Sequence, residues 1–203
     1  MEPVTDELAD VRAALARPAV DATGAGVRRS AVAAMISPGR RLWFIERALR
    51  EGDPWSGHVG FPGGREHADD PSLLAVAVRE TMEELGVDLG AAELLGRLDD
   101  VRTRPVRSLM VRPFVFALDR EPEVTPNHEV AGVVSASLDH LLVGAGRGQM
   151  RWPARVGMTL PCVDFAGVRL WGLTLLMVDD LLHRLDGRGR GLERPTSEVR
   201  TAS

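Results

Sequence analysis

The stretch Gly63 to Val87, GGREHADDPSLLAVAVRETMEELGV, limits what this chain can become more than any other. Asp70 followed by Pro71 predicts a helix opening, an N-cap acceptor ahead of the residue favoured in the first turn. Leu74, Val78, Met82 and Leu85 recur at helical spacing and predict the face that meets the core, with Gly86 as the stop. On the same helix Glu80, Glu83 and Glu84 stand at i, i+3 and i+4, so their carboxylates converge on another side. Acids this close repel one another and weaken the helix unless something offsets them. Hard cations do so, and magnesium takes oxygen ligands of this kind at about 2.0–2.1 Å. Arg79, four residues before Glu83, can bond a carboxylate, including one at the helix start. The Gly63-Gly64 pair lets backbone come close to a metal or a phosphate. An ExxEE run alone more often marks a solvated acidic surface. Here Arg79, the Gly-Gly turn and the helix start stand at matching distances, and together they favour chemistry.

The remaining chain supplies strands for that helix to lie on. Leu8, Val11 and Leu15 predict a short helix ended by Pro18, followed by a small-residue linker over Ala19 to Gly26. Val27 to Ser37 predicts a strand that turns at Pro38-Gly39 into a partner over Arg41 to Leu49. The 50s, with Gly52, Pro54 and Gly57, predict a loop, and His58 to Phe61 a short strand. Strands are expected around Leu94 to Val101, Leu109 to Leu118 and Val163 to Leu170, with a further apolar segment over Val130 to Val134. A short helix is expected near Leu138 to Val143, and a final one over Trp171 to Leu185 with Leu175, Val178 and Leu182 on one face. The Arg- and Gly-rich tail from Gly187 is predicted to be disordered. The division is thus 1–26 for the helix and linker, 27–186 for one domain and 187–203 for the tail. Strands grouped around two main helices, without strict βαβ alternation, indicate a mixed α/β sandwich.

Composition narrows the partners. Of 203 residues, 44% are hydrophobic and 27% charged, the mix of a soluble globular protein. A net charge of −4 argues against a general nucleic-acid binder and leaves a small anionic substrate open, because a pocket can be basic on an acidic protein. The lone Cys162 forms no internal disulfide and is assigned to packing; with no Cys or His cluster, zinc is not expected. The amphipathic, acidic N-terminus has no signal-peptide core, and no apolar run reaches the ~20 residues of a membrane helix, so the expected location is the cytoplasm, without membrane contact.

The central run resembles the Nudix box: Gly, five residues, Glu, seven residues, then Arg-Glu-U-x-Glu-Glu-x-Gly-U, where U is aliphatic. Arg79, Glu80, Glu83, Glu84, Gly86 and Val87 match its second half residue by residue. Fourteen residues rather than thirteen separate Gly64 from Arg79, Asp70 stands where Glu is usual, and Thr81 where an aliphatic residue is usual. The extra residue and the Asp resemble the coenzyme A pyrophosphatase-like branch. That branch also carries Phe-Pro-Gly-Gly, as at Phe61 to Gly64, and a late Trp-Gly-x-Thr, as at Trp171 to Thr174. Its upstream motif is kept at Gly57, but Asp53 replaces an Arg, Arg47-Ala48 lies one residue too far away, and Trp43-Phe44-Ile45 replaces Leu-Leu-Thr. The resemblance runs from about Ser30 to Leu185.

The resemblance implies a Nudix α/β/α sandwich with a mixed sheet between helices. It implies that Glu80, Glu83 and Glu84, with the Gly64 carbonyl, hold one to three magnesium or manganese ions, and that Arg79 orients the carboxylates. It also points to Glu129, in NHEV, as a metal-binding or water-activating carboxylate; otherwise Glu129 is an ordinary loop acid. The leading expectation is hydrolysis of coenzyme A or an acyl-coenzyme A to 4′-phosphopantetheine and adenosine 3′,5′-bisphosphate. A second is hydrolysis of ADP-ribose, NADH or an oxidised nucleoside triphosphate, and a third a nucleotide-binding regulator without catalysis. A homodimer is compatible with any of them. Among other residues, His58 is expected to be hydrogen-bonded in a turn. Trp55 is expected to cap the core, with stacking on a base as the alternative. Arg97, Arg102, Arg104, Arg107 and Arg112 are expected on a solvated sheet face, one or two of them facing substrate phosphates.

Overall fold

The computed structural model describes residues 6–22, 27–51, 55–103, 109–151, 157–186 and 198–199. Its elements in order are α1 (Ala9–Leu15), β1 (Arg28–Ser37), β2 (Arg41–Arg47), β3 (Val59–Gly60), β4 (Gly63–Arg65), α2 (Leu73–Leu85), β5 (Glu93–Arg97), β6 (Val101–Thr103), β7 (Leu109–Ala117), β8 (Val130–Ser137), α3 (Leu138–Leu142), β9 (Arg147–Arg151), β10 (Thr159–Phe165), β11 (Val168–Trp171), α4 (Gly172–Asp186) and β12 (Glu198–Val199).

β1 is the organising strand because both of its faces are apolar. Ala31, Ala33 and Met35 join Met110, Phe114 and Phe116 of β7 under α2. Ala34 and Ile36 join Val111, Val115 and Ala117 on the opposite face, beneath α1 and α4. Such double-sided burial requires helices on both sides of the sheet, and the expected α/β/α sandwich is what forms. β1 and β7 run parallel, while β1 to β2, β2 to β8 and β5 to β7 are antiparallel. The hairpin at Pro38-Gly39 forms as expected, with positive φ at Gly39 and Arg40.

β1 and β2 stay paired only at the hairpin end, where Ile36 faces Leu42 and Ser37 faces Arg41. Beyond it the two strands part. β3 adds to β2, with Ile45 opposite Gly60, and β4 adds to β1, with Val32 opposite Gly63 and Ala31 opposite Gly64. Phe61 and Pro62 therefore cross from one half of a split sheet to the other, and the carbonyl of Pro62 accepts from Ala33 at 2.9 Å.

Several expectations need correcting. α2 starts at Leu73 with Ser72 as its N-cap, the Ser72 hydroxyl accepting from the Ala75 amide at 3.1 Å. Asp70 is drawn away from that role, accepting instead from the His67 amide and from Arg79. The buried face of α2 is Leu73, Val76, Ala77, Thr81, Glu84 and Leu85, whereas Met82 is 51% exposed and Leu74 and Val78 lie at the margin. Thr81 takes the aliphatic position without an orphaned hydroxyl, because its Oγ1 donates to the Ala77 carbonyl at 2.7 Å. The strand expected over 94–101 is two, β5 and β6, parted by the irregular segment 98–100, in which the Asp99 amide donates to Asp180. The strand expected over 163–170 is a hairpin, β10 and β11, turning at Ala166-Gly167, both at positive φ. With β9 it makes a separate three-stranded sheet that the sequence did not foretell. Arg97 and Arg112 do not lie on a solvated face; both bond Asp21, and Arg112 also holds Asp100, whose side chain is fully buried. Arg104 and Arg107 lie outside the described residues, as do Asp53 and all of the tail except β12, which pairs with β6.

Candidate active site

Four pieces of chain meet where the sheet splits: the end of β2, the Phe61–Gly64 crossing, the second half of α2 and residues 125–129 ahead of β8. The two glycines of the crossing serve different purposes. A Cβ on Gly63 would sit 2.3 Å from the Ala31 carbonyl oxygen, so only glycine lets β4 close onto β1. A Cβ on Gly64 would sit 2.2 Å from the Glu80 carboxyl group, so that side chain occupies the space the glycine leaves. The groups that come close to this pair are the β1 backbone and Glu80.

Glu84 projects from the core face of α2 and is only 3% exposed. Its Oε2 accepts from the Gly63 amide at 2.8 Å, and Oε1 lies 3.9 Å from the Arg47 guanidinium. Burial pushes its pKa up to about 7; the Gly63 amide and Arg47 pull it down, while the charges of Glu80 and Glu129 push it further up. Burial also raises Glu80, against the pull of Arg79. Glu83, on the solvent side, is the exposed member of the three.

Arg79 organises these carboxylates. It bonds both oxygens of Asp70 at 3.1 and 3.0 Å, the Arg65 carbonyl at 3.2 Å, Glu80 at 2.9 Å and Glu83 at 3.3 Å. The Asp70 carboxyl is in turn held below the ordinary range, chiefly by Arg79. Asp70 thus ties the loop before the helix to the base of the acidic cluster.

Glu129 stands at the opposite rim, half-buried, with Oε1 3.3 Å from the Arg50 guanidinium. It is near enough for its charge to lift the pKa of Glu84. Its own amide is held by the Asn127 side chain at 2.8 Å. Sequence reasoning passed over Asn127, although an Asn two residues before Glu129 is a turn signal. Behind the crossing, the Trp171–Thr174 segment packs on β3: the His58 ring meets Trp171 edge-on at 4.5 Å, and a Cβ on Gly60 would lie 3.7 Å from the Thr174 hydroxyl. The His58 amide also donates within its turn, to the Trp55 carbonyl at 3.1 Å. Trp55 is half-buried. Cys162 is buried, at 2% exposure, in the core role expected of it.

The donor set suits a hard divalent cation. Glu80 and Glu84 place carboxylates in a poorly solvated region, the exposed Glu83 follows on the same helix, and all offer oxygen. Among the described residues no three acidic, His or Cys side chains form a ready-made ligand cage. Arg79 and the Gly63 amide instead engage these carboxylates.

Comparison with known proteins identifies the family and the fold. The profile of the NUDIX domain matches residues 27–153. The chain is 34% identical over 142 residues to the mitochondrial coenzyme A diphosphatase NUDT8 of Mus musculus, covering 68% of this chain and 67% of that protein. To the protein of the same name from Homo sapiens it is 32% identical over 149 residues, covering 71% of this chain and 62% of that one. The solved MutT protein of Methanosarcina mazei Go1 shares the fold, with a TM-score of 0.50 at 17% identity over 86% of this chain and 99% of that chain. With more than half its length matched by the family profile and the acidic helix set on the crossing of a split sheet, the chain belongs to the Nudix family and is a hydrolase of its pyrophosphatase kind.

Proposed function

We propose that this protein hydrolyses the diphosphate bond of coenzyme A or an acyl-coenzyme A, with magnesium or manganese held by Glu80, Glu83, Glu84 and the Gly64 carbonyl. The observation that carries the reaction is the convergence of a buried Glu84, a half-buried Glu80 and the nearby Glu129 around the Gly63-Gly64 crossing. Divalent cations bound there supply positive charge against the phosphoryl oxygens as charge builds in the transition state. Arg79 orients the Glu80 and Glu83 carboxylates and does not contact substrate. Glu129 accepts a proton from the attacking water, which adds in line at phosphorus as the bond to the bridging oxygen breaks.

Support for coenzyme A comes from two relatives that bear the name coenzyme A diphosphatase. It comes also from the Phe-Pro-Gly-Gly and Trp-Gly-x-Thr segments, the second of which packs against His58 and Gly60, just ahead of the first. The second reading, hydrolysis of ADP-ribose, NADH or an oxidised nucleoside triphosphate, is favoured by the altered upstream motif, with Asp53 in place of a basic residue. The cytoplasm is proposed as the location, on the strength of the single unpaired Cys162. Incubation with coenzyme A, ADP-ribose and NADH in magnesium or manganese, with products identified by mass, tests the assignment. Preferential release of 4′-phosphopantetheine supports it, and cleavage of ADP-ribose or NADH alone transfers the assignment to the second reading.

A further inference from the structure

The segment 125–129 does more than connect β7 to β8. The Thr125 amide donates to the Leu85 carbonyl at 2.7 Å, and the Asn127 amide to the Glu84 carbonyl at 2.9 Å, so backbone already caps the end of α2. The Asn127 side chain adds two further bonds. Its Nδ2 donates to the Glu83 carbonyl at 2.9 Å, and its Oδ1 accepts from the Glu129 amide at 2.8 Å. The orientation of the amide follows from its partners, since a carbonyl only accepts and a backbone N–H only donates. Glu129 is held from its other side too, its carbonyl accepting from the Ala48 amide at 2.8 Å. One side chain therefore ties the peptide unit of a helix glutamate to that of Glu129. The arm to Glu129 contributes nothing to capping the helix.

We propose that Asn127 is a positioning residue for hydrolysis, fixing Glu129 relative to Glu83 and Glu84 and acting on turnover through Glu129. The inference rests on the reading of Glu129 as the group that accepts the proton. The shift of a catalytic group by about 1 Å can lower a rate by about two orders of magnitude, so a clamp of this kind acts on kcat more than on substrate binding.

The test is a double-mutant cycle on the full chain: wild type, Asn127→Ala, Glu129→Gln and the pair together. Each variant is checked by thermal melting and assayed in magnesium on whichever of coenzyme A, ADP-ribose and NADH the wild type cleaves fastest. Asn127→Ala should lower kcat about tenfold or more with KM changed less than about threefold. In the Glu129→Gln background the same change should lower kcat by less than about twofold, because the residue it positions is already disabled. A cap that served stability alone would lower Tm and act equally in both backgrounds. Equal losses in both backgrounds, or wild-type kcat in Asn127→Ala, overturn the proposal and leave the role of Glu129 standing. Wild-type kcat in Glu129→Gln, or a wild type that cleaves none of the three compounds, removes the reading beneath the proposal and the proposal with it. If Asn127→Ala does not fold, Asn127→Asp keeps the acceptor for the Glu129 amide, gives up the donor to Glu83 and should show the same non-additivity.

Discussion

A carboxylate buried beside other carboxylates has a stability signature that can be read with the metal removed. Glu84 has its pKa raised from 4.5 to about 7 in the folded chain. The folded state therefore binds this proton more tightly than the unfolded state. In chelator, the contribution of Glu84 is fully favourable below about pH 4.5 and is lost as pH rises through about 7. The loss amounts to up to about 3 kcal/mol, and the raised pKa of Glu80 adds to it in the same direction. Urea denaturation in EDTA at pH 5 and pH 8 measures it. Glu84→Gln should flatten the difference, and an unchanged slope would contradict the burial argument. Gly64→Ala should lower turnover at least about tenfold and stability by about 1–3 kcal/mol, because the new methyl meets the Glu80 carboxyl; kinetics and melting of one sample check both. At this scale the sequence was informative where spacing alone decides. Glu80, Glu83, Glu84 and Arg79 share one stretch of helix, and their grouping follows from its period. The burial of Glu84 did not follow, because it depends on which side of α2 the split sheet receives. Nor did Asn127, whose partners are backbone groups of another element.

At the scale of the element, the start of α2 separates two residues that look interchangeable in sequence. Ser72 caps the helix, whereas Asp70 anchors Arg79. Ser72→Ala should cost about 1 kcal/mol of stability and leave kcat unchanged. Asp70→Asn should do the reverse, lowering kcat several-fold by loosening Arg79 while costing less in a denaturation experiment; equal behaviour of the two variants would contradict this division of labour. Local signals located β1, β2, β7, α2 and α4 well, since each carries a strong period or a turn residue at its end. They failed where tertiary contacts set the boundary. Asp99 and Asp100 break the strand expected over 94–101 because they reach α4, the N-terminal segment and Arg112. The hairpin of β10 and β11 lay hidden because Ala166 adopts a positive φ that its side chain gives no reason to expect.

For the whole molecule, the parting of β1 from β2 is what makes a site. A closed sheet would bury the Phe61–Gly64 segment or exclude it. The split lets it cross beneath α2 and present Gly63 and Gly64 to the helix glutamates, with the 125–129 segment closing the far rim. Two cores, one on each side of the sheet, support the strands that frame that opening. The fold class was legible in sequence because strands and helices alternate loosely around one acidic helix. The split was not, because it depends on β3 and β4 pairing with different partners. The most direct test of the account is the rate of diphosphate hydrolysis by chelator-stripped enzyme as magnesium is added back, for wild type and Glu84→Gln side by side. Wild type should be silent without metal and recover with it, while Glu84→Gln stays folded and remains at least about a hundredfold slower at saturating magnesium. Turnover near the wild-type value in folded Glu84→Gln would contradict the central claim that this buried carboxylate serves the chemistry.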